Sequence, residues 1–354
     1  MQVNLKEHSY EILIKRGALK ELGRWINSLW TPQKIAVITD TNVAPLYSQT
    51  VMKQLTAAGH APHLAVVPAG EASKSLKTAA ELYDFLAEAG FTRSDGILAL
   101  GGGVIGDLAG FVASTYMRGI HFVQIPTTLL AQVDSSIGGK TGVNTSKAKN
   151  LVGTFSQPAG VLIDPNVLET LEMRRVREGI AEIIKSAAIA DLHLWQQLTQ
   201  LKDETDLLYH AETIITAALE VKRHVVEEDE FDNGMRLILN FGHTIGHAIE
   251  NTAGYGVVSH GEGVALGMLK INQVSEIKGL TPMGTTAQLK EMIMKFHLPT
   301  ELPNWDENAL YQAITHDKKA RGTNLKLILL AEIGQAKIVE IPLIEMKDYL
   351  KEAL

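Results

Sequence analysis

The chain has 354 residues, 45% of them hydrophobic and 21% charged, which is enough to bury a large core in two domains or one large one. Its formal net charge of −7 at pH 7 argues against non-specific binding to nucleic acid, which depends on basic patches. Because there is no cysteine, disulfides, thiolate catalysis and cysteine-based metal sites are excluded, so a metal site must use His, Asp or Glu.

The amino-terminal stretch MQVNLKEHSY lacks the basic and then apolar plan of a signal peptide. No run of about eighteen apolar residues occurs in the sequence. We therefore expect a cytoplasmic protein with neither a membrane nor a nucleic-acid partner. An anionic small molecule remains compatible with the acidic charge if basic residues converge on one site.

The first half of the sequence alternates short apolar runs with amphipathic stretches such as SLKTAAELYDFLAEAG. Five runs predict strands: KIAVIT (34–39), HLAVVP (63–68), DGILAL (95–100), HFVQIP (121–126) and GVLIDP (160–165). This alternation is typical of a parallel sheet with helices on its faces. The pattern predicts a Rossmann-like α/β domain over residues 1–167.

A glycine-rich turn follows the third of these strands, in DGILALGGGVIGDLAGF. Counted from Gly101, it fits G-x-G-x-x-G, in which glycines let the backbone approach a pyrophosphate at a helix N-terminus. A tight strand-to-helix turn without a ligand explains the same glycines. No acid closes the next strand, where the ribose partner normally lies, which leaves Asp40 and Glu71 as candidates.

The stretch VDSSIGGKTGVN contains GGKT, which resembles the end of a phosphate-binding P-loop. A P-loop needs a glycine five positions before its Gly-Lys pair, and Asp134 occupies that position here. A nucleotide triphosphatase is therefore not indicated. The acid, the hydroxyls and the lysine of this stretch need another explanation.

From about Leu168 the strand signals nearly vanish and helical periodicity takes over. Helices are predicted at 174–190, 205–228, 237–253, 260–279 and 285–296, and strand signals return at 325–341. We predict a mostly helical second domain over 168–354.

The helical stretch NFGHTIGHAIE carries His243 and His247 four residues apart, so both rings project from one helix face. Zinc proteases place a glutamate directly after the first histidine, but Thr244 stands there, so a protease is not indicated. A third histidine, His260, precedes another apolar helix in SHGEGVALG. The His243 and His247 pair can chelate a metal, although each of these histidines taken singly is more often structural than catalytic.

In GIAEIIKSAAI, Glu182 and Lys185 lie three residues apart on one face of an otherwise apolar helix. A solvated ion pair is the simplest interpretation. Buried charges, however, are costly unless they are paired or bind a metal. One carboxylate with two or three imidazoles suits Zn²⁺ with an open coordination position.

Basic residues beside these motifs could bind a phosphorylated, carboxylated substrate. They are Arg118, Lys222, Arg236, Lys318 and Lys319.

Together these motifs resemble the 3-dehydroquinate synthase family over nearly the whole chain and in the same order. The motifs are GGGVIGDLAGF, RGI, IPTTLLAQVDSSIGGKTGVN with the following KN, AEIIK, RLILNFGHTIGHAIE, HGEGVALG and DKK. The resemblance implies a shikimate-pathway lyase that converts 3-deoxy-D-arabino-heptulosonate 7-phosphate to 3-dehydroquinate and phosphate. It also implies bound NAD⁺, a divalent metal (usually Zn²⁺, with Co²⁺ as an alternative) and a homodimer.

The resemblance implies a role for each matching position. The metal ligands would be Glu182, His243 and His260, with His247 in substrate contact and proton transfer. The substrate-binding set would be Arg118, Asp134, Lys140, Asn150, Lys185, Lys222, Arg236, Asn240 and Lys318 or Lys319. The cofactor-binding set would be Asp40, Asn42, Glu71, Lys74, Gly102, Gly103, Val104, Asp107, Thr127, Thr128, Lys149 and Thr170. Asp232 departs from the pattern, since the family often has Glu there.

The implied reaction oxidises the C5 hydroxyl transiently, eliminates phosphate, restores the alcohol, and closes a ring by intramolecular aldol addition. Two enzyme classes remain as alternatives: a cyclase acting on another sugar phosphate, and an NAD- and metal-dependent polyol dehydrogenase. A non-catalytic, NAD-sensing protein with the same fold is a third. The intact DSSIGGKTGVN loop and Arg236 favour 3-dehydroquinate synthase over the two other enzyme classes. The presence of all the metal-ligand and basic positions argues against the non-catalytic protein.

Overall fold

The computed structural model describes residues 1–6, 8–254, 256–301, 304–318 and 323–351, without the side chains of 316–318. The chain divides into two compact units, Met1–Leu171 and Glu172–Leu354. The predicted domain boundary lies after residue 167. The function of each unit stays a prediction. Among the helices of these ranges, none combines the length and apolar character that a membrane span requires.

The first unit is built on a seven-stranded sheet with an additional two-stranded hairpin. Its strands are β1 (Gln2–Val3), β2 (Tyr10–Ile14), β3 (Lys34–Asp40), β4 (Ala61–Val67), β5 (Gly96–Gly101), β6 (His121–Pro126), β7 (Lys140–Val143), β8 (Val152–Phe155) and β9 (Gly160–Ile163). The main sheet has the order β1-β2-β9-β6-β5-β3-β4, and every pair is parallel except β1 with β2. The antiparallel hairpin pairs β7 with β8. The predicted parallel sheet is confirmed.

Helices cover both faces of this sheet, because its central strands are apolar on both sides. The helices are α1 (Leu22–Leu29), α2 (Gln49–Ala57), α3 (Leu76–Glu88) and α4 (Gly103–Thr115). Along β3, Ala36 and Ile38 belong to the core beneath α3 and α4, whereas Ile35 and Val37 belong to the core beneath α1 and α2. This two-residue alternation of side chains divides the unit into three layers.

The second unit is mostly helical and ends in a β-hairpin. Its elements are α5 (Met173–Ala190), α6 (Leu192–Gln200), α7 (Glu204–Tyr209), α8 (Ala211–Glu228), α9 (His243–Ala253), α10 (His260–Ile277), α11 (Thr285–Lys295), α12 (Glu307–Lys318), β10 (Asn324–Glu332), β11 (Gln335–Pro342) and α13 (Met346–Leu350). The strand signal at 325–341 is thus two antiparallel strands.

Two predicted helices have different limits in the structure. The helix predicted at 205–228 is interrupted at His210, whose ring Nδ1 lies 2.9 Å from the carbonyl oxygen of Asp206. The helix predicted at 237–253 begins only at His243, because Gly242 has a left-handed backbone with φ of 79°. A single 3₁₀ stretch, Met235–Asn240, precedes it. Both interruptions depend on local geometry that hydrophobic periodicity does not detect.

Candidate active site

Three helices of the second unit approach one another closely where glycines replace larger side chains. A Cβ atom added to Gly261 at the start of α10 would lie 2.5 Å from the Cα of Glu178 on α5. A Cβ added to Gly246 on α9 would lie 2.9 Å from the backbone of Gly263 on α10. The helix backbones therefore pack directly against each other, and side chains that flank these contacts meet.

Replacing Gly246 with alanine should destabilise the protein despite alanine's higher helix propensity. Helix propensity alone predicts that alanine stabilises the folded protein by about 1 kcal/mol. Overpacking a tight contact destabilises it by about 1–3 kcal/mol. We expect Gly246→Ala to lower the midpoint of urea unfolding. An unchanged or raised midpoint would show that the α9–α10 contact is not as close as the structure has it.

Glu182, His243 and His260 meet where α5, α9 and α10 approach. The Oε1 atom of Glu182 lies 3.0 Å from Nε2 of His260 and 3.5 Å from Nε2 of His243. One potential ligand atom from each residue lies within 4.8 Å of the others. One carboxylate oxygen and two imidazole nitrogens form a donor set that suits Zn²⁺ or Co²⁺ and leaves a fourth position for substrate. The residues present therefore fit a divalent ion.

Burial and mutual charge set the protonation of this cluster. Burial lowers the pKa of His243 to about 3, against the attraction of Glu182. Burial also disfavours charged His260, but hydrogen bonds with Glu182 and Glu250 outweigh it and raise the pKa to about 10. Burial likewise opposes ionisation of Glu182, yet Lys185 and the histidines keep its pKa well below its ordinary value. Glu182 is therefore an anion, the form that binds a cation.

Lys185 is the nearest cation to this cluster on α5. Its Nζ lies 2.5 Å from Oε2 of Glu182, and its side chain is only 2% exposed. The solvated ion pair considered for these residues is therefore wrong, since Glu182 is also 1% exposed. The two oxygens of Glu182 therefore have different partners: Oε2 faces Lys185, and Oε1 faces the two imidazoles.

His247 and Glu250 lie beside the cluster on α9. The ring centroid of His247 is 5.2 Å from that of His243 and 5.8 Å from that of His260, and His247 is exposed. Oε2 of Glu250 lies 3.1 Å from Nδ1 of His260. The sequence analysis missed Glu250, although its place seven residues after His243 puts both on one helix face.

The N-terminus of α10, where His260 lies, is fixed by a capping box tied to α5. The Ser259 side chain accepts a hydrogen bond from the Glu262 backbone N–H, and the Glu262 carboxylate accepts one from the Ser259 N–H at 2.8 Å. Arg174 on α5 donates to both Glu262 oxygens at 2.8 Å. This network fixes where the helix begins and so the position of His260.

Replacing Glu262 with glutamine should cost about 1 kcal/mol at pH 7, because both the ion pair and the cap weaken. The hydrogen bond with Arg174 lowers the pKa of Glu262 in the folded protein from its ordinary value. A lowered folded pKa stabilises above the unfolded pKa, and this stability is lost as the pH falls through the folded pKa. The difference in the free energy of unfolding between wild type and Glu262→Gln, measured in urea, should therefore be present at pH 7 and should shrink as the pH falls through the lowered pKa of Glu262. A difference in the free energy of unfolding that does not change with pH would contradict this account.

Arg236 follows a loop that is held by a carboxylate. The side chain of Asp229 accepts hydrogen bonds from the backbone N–H groups of Asn233 at 2.9 Å, Gly234 at 2.7 Å and Arg236 at 3.0 Å. Arg236 is 3% exposed, and its guanidinium donates to the Glu230 carbonyl at 2.6 Å. Sequence reasoning identified Arg236 but missed Asp229, whose signal is its place directly after a helix.

Three other predicted substrate residues lie in the same unit. Lys222 is buried on α8, and Asn240 is half-buried at the end of the 3₁₀ stretch. Asp232 has a left-handed backbone with φ of 60°, a conformation that Asp adopts more readily than Glu. This gives a physical reason for Asp at the position where the family often has Glu. The side chain of Lys318 and all of Lys319 lie outside the described residues.

The predicted cofactor residues of the first unit lie mainly at the carboxyl edge of the sheet. Asp40 ends β3, Glu71 follows β4, Gly102 follows β5, and Thr127 and Thr128 follow β6. These four strands are parallel neighbours, so their carboxyl ends share one edge. Ligands of open α/β sheets bind outside this edge.

The glycine turn owes part of its composition to packing. Gly102 precedes α4 with an ordinary φ of −73°, and a Cβ there would lie 2.9 Å from Cγ2 of Thr128. A Cβ on Gly103 would lie 2.8 Å from Oγ of Ser135. Val104 is half-buried in the first turn of the helix. The absence of a Cβ at both glycines thus lets the turn before α4 pack closely against Thr128 and Ser135.

Polar contacts hold several of the cofactor candidates. The Asp40 carboxylate accepts from the Asn42 N–H at 2.8 Å, and Lys74 forms an ion pair with Asp107. The remaining contacts are Asn144 Nδ2 donating to Glu71 Oε1 at 2.7 Å, and Thr170 Oγ1 at 2.6 Å from the Tyr47 hydroxyl. Sequence reasoning missed Asn144 and Tyr47, which lack a charge that would single them out.

The other predicted residues of this unit lie on loops and strand ends. Lys149 and Asn150 are exposed after β7, and the N–H of Asn150 donates to Oδ1 of Asn144 at 2.8 Å. Asp134 is half-buried in a π-helical turn, Lys140 is the exposed first residue of β7, and Arg118 is exposed with φ of 71°. The unit therefore presents three exposed basic side chains from this predicted set.

Two solved structures that match this chain over nearly its whole length are sugar-phosphate cyclases. A 2-deoxy-scyllo-inosose synthase complexed with carbaglucose-6-phosphate, NAD⁺ and Co²⁺ matches with a TM-score of 0.91, at 27% identity over 100% of both chains. A 2-epi-5-epi-valiolone synthase from Streptomyces hygroscopicus subsp. jinggangensis 5008, with NAD⁺ and Zn²⁺ bound, matches with a TM-score of 0.88. It is 29% identical and covers 98% of this chain and 97% of its own. The fold is that of the cyclase class.

Sequence comparisons define the family within this class. The family model for the 3-dehydroquinate synthase N-terminal part matches residues 64–178, and the model for the C-terminal part matches residues 179–320. The 3-dehydroquinate synthase of Enterococcus faecalis is 66% identical over 350 residues, which is 99% of this chain and 98% of the relative. The chain belongs to the 3-dehydroquinate synthase family.

Proposed function

We propose that this protein is a 3-dehydroquinate synthase. It converts 3-deoxy-D-arabino-heptulosonate 7-phosphate to 3-dehydroquinate and phosphate, using NAD⁺ and a divalent ion, Zn²⁺ or Co²⁺. The observation that carries the proposal is the meeting of Glu182, His243 and His260 from three helices, in a chain that aligns over 99% of its length with a 3-dehydroquinate synthase. The cyclases with NAD⁺ and Zn²⁺ or Co²⁺ bound support the choice of cofactors.

The first unit would hold NAD⁺ and the second the divalent ion. The nucleotide would bind at the sheet edge around Asp40, Glu71 and the glycine turn. Glu182, His243 and His260 would bind the ion through one oxygen and two nitrogens. When bound, NAD⁺ supplies a hydride acceptor, and the ion supplies a Lewis acid that stabilises negative charge on a hydroxyl oxygen.

The basic residues of the second unit would orient the anionic substrate. Arg236 is held by the Glu230 carbonyl and by the loop anchored on Asp229, so its guanidinium has a fixed position and direction. Such a preorganised guanidinium suits bidentate binding of a carboxylate or phosphate. Lys222 supplies a second buried cation on α8. Preorganised charge lowers the cost of orienting the substrate through several steps.

His247 would transfer protons to and from the substrate. Its ring is exposed and lies within 6 Å of both metal-site imidazoles by centroid distance. A neutral ring nitrogen can accept a proton from a substrate hydroxyl and return it later in the cycle. Lys185 keeps Glu182 ionised, so that carboxylate does not compete for the same proton.

The homodimer and the cytoplasmic location implied by the resemblance and the composition remain predictions. Size measurement in solution tests the first, and fractionation of the cell tests the second. Neither outcome changes the chemistry proposed for the site.

Phosphate release from the heptulosonate phosphate tests the proposed function. With NAD⁺ and zinc supplied, we expect release of phosphate together with 3-dehydroquinate. A chelator should abolish release, and added zinc should restore it. Absence of release with both cofactors present would overturn the proposal.

Two further substrates separate the alternatives. Phosphate release from a hexose 6-phosphate in place of the heptulosonate would favour a different cyclase. Net formation of NADH from glycerol would favour a polyol dehydrogenase, because the proposed cycle returns its hydride and accumulates no NADH.

A further inference from the structure

Both ring nitrogens of His260 face carboxylates. Nε2 lies 3.0 Å from Oε1 of Glu182, and Nδ1 lies 3.1 Å from Oε2 of Glu250. Glu250 comes from α9, the helix that also carries His243 and His247. Its side chain is 14% exposed, so the contact is shielded from solvent. An additional carboxylate thus stands directly behind one proposed metal ligand.

We propose that Glu250 is a positioning residue for the metal centre: it accepts the Nδ1–H of His260 and so presents Nε2 to the divalent ion. The inference rests on the proposed function, since it assumes that Glu182, His243 and His260 hold the ion. A neutral imidazole has one protonated nitrogen and one free lone pair, and the group that accepts the N–H decides which is which. A carboxylate in this place also increases the basicity of the ligand nitrogen.

The two ring nitrogens of His243 also face different partners, but here the acceptor next to Nδ1 is a backbone carbonyl. Its Nδ1 lies 3.2 Å from the carbonyl oxygen of Phe241, while Nε2 faces Glu182. Both imidazoles therefore direct Nε2 to the carboxylate and Nδ1 to an acceptor behind the ring. The acceptor behind His243 is backbone and neutral, whereas the one behind His260 is a side chain and charged. Glu250 is therefore the member of this supporting set that mutation can remove.

A second ion is the competing explanation for these residues, because His247, Glu250 and His260 also offer ligand atoms within 4.8 Å of one another. His260 would then have to bridge two ions and lose both ring protons. The distance of 3.1 Å between Nδ1 and the carboxylate oxygen is that of a hydrogen bond, in which Nδ1 keeps its proton. The geometry therefore favours one ion with a supporting carboxylate.

Zinc affinity of the full-length protein with NAD⁺ present, measured by competition with a chelating dye, tests the proposal without relying on turnover. We expect Glu250→Ala to bind zinc about 10- to 100-fold more weakly than wild type. Glu250→Gln retains an amide oxygen that accepts the Nδ1–H, so it should lose less than Glu250→Ala. In the cobalt-loaded protein, the visible absorption bands of Glu250→Ala should shift relative to wild type, and those of Glu250→Gln should shift less.

Glu228→Gln is the matched control, because Glu228 lies 3.3 Å from a histidine ring, His224, on the exposed surface of α8. Its zinc affinity should equal that of wild type. Zinc affinity of Glu250→Ala within about two-fold of wild type would overturn the proposal, as would two zinc ions in wild type that fall to one in the variant. Absence of phosphate release by a wild type whose zinc affinity depends on Glu250 would overturn the proposed function and leave this inference intact.

Discussion

The His243→Ala variant is expected to lose its zinc and its turnover together. His243 supplies one of the three ligand atoms, and burial keeps its imidazole neutral and available to the ion. Lewis-acid stabilisation is commonly worth several kcal/mol, and each 1.36 kcal/mol corresponds to ten-fold in rate. We therefore expect phosphate release to fall by roughly 10³-fold or more, with zinc content near zero after dialysis.

The exposed His224 on α8 provides the control for this experiment. His224→Ala should retain both zinc and turnover. If His243→Ala kept its zinc or its full rate of phosphate release, His243 would not be a ligand and the assigned metal site would be wrong. Loss of turnover with zinc retained would move His243 from metal binding to another role.

The Arg236→Ala variant is expected to keep its zinc and to lose affinity for substrate. Arg236 is buried, its guanidinium is fixed by the Glu230 carbonyl, and removing one partner of a buried charged contact costs about 2–5 kcal/mol. We expect kcat/KM for phosphate release to fall by roughly 30- to 5,000-fold, since each 1.36 kcal/mol corresponds to ten-fold in rate. Zinc content should stay equal to that of wild type, because Arg236 is not among the three proposed ligands.

Arg236→Lys separates charge from geometry. Lysine keeps the positive charge but lacks the planar fork, so we expect it to recover only part of the lost kcat/KM. Full activity of Arg236→Ala would exclude Arg236 from the substrate site. A loss of zinc in Arg236→Ala would show that the loop anchored on Asp229 supports the metal centre instead.

The sheet was predictable from sequence because its central strands are apolar on both faces and follow one another at regular intervals. The run KIAVIT is one example, found as β3. The limits of α9 were not predictable, because Gly242 ends the preceding turn through a backbone angle and not through a change in hydrophobicity. Periodicity therefore identified the elements better than their ends.

The metal cluster was predictable in its members and not in its surroundings. His243 and His247 share a helix face by spacing alone, and Glu182 was conspicuous as a charge in an apolar helix. Glu250 and Asp229 drew no attention, because a carboxylate that supports a histidine or a loop has no spacing rule of its own. The Glu250 contact with His260 depends on the glycine-mediated approach of α9 and α10, and the Asp229 contacts depend on the path of the loop that follows α8.

The most direct test of the central claim is a crystal structure of the zinc-loaded protein with anomalous scattering measured at the zinc edge. We predict one anomalous peak at about 2.0–2.2 Å from a Glu182 oxygen and from Nε2 of both His243 and His260. A zinc peak bound by other residues, or one that leaves any of these three side chains outside coordination distance, would contradict the account.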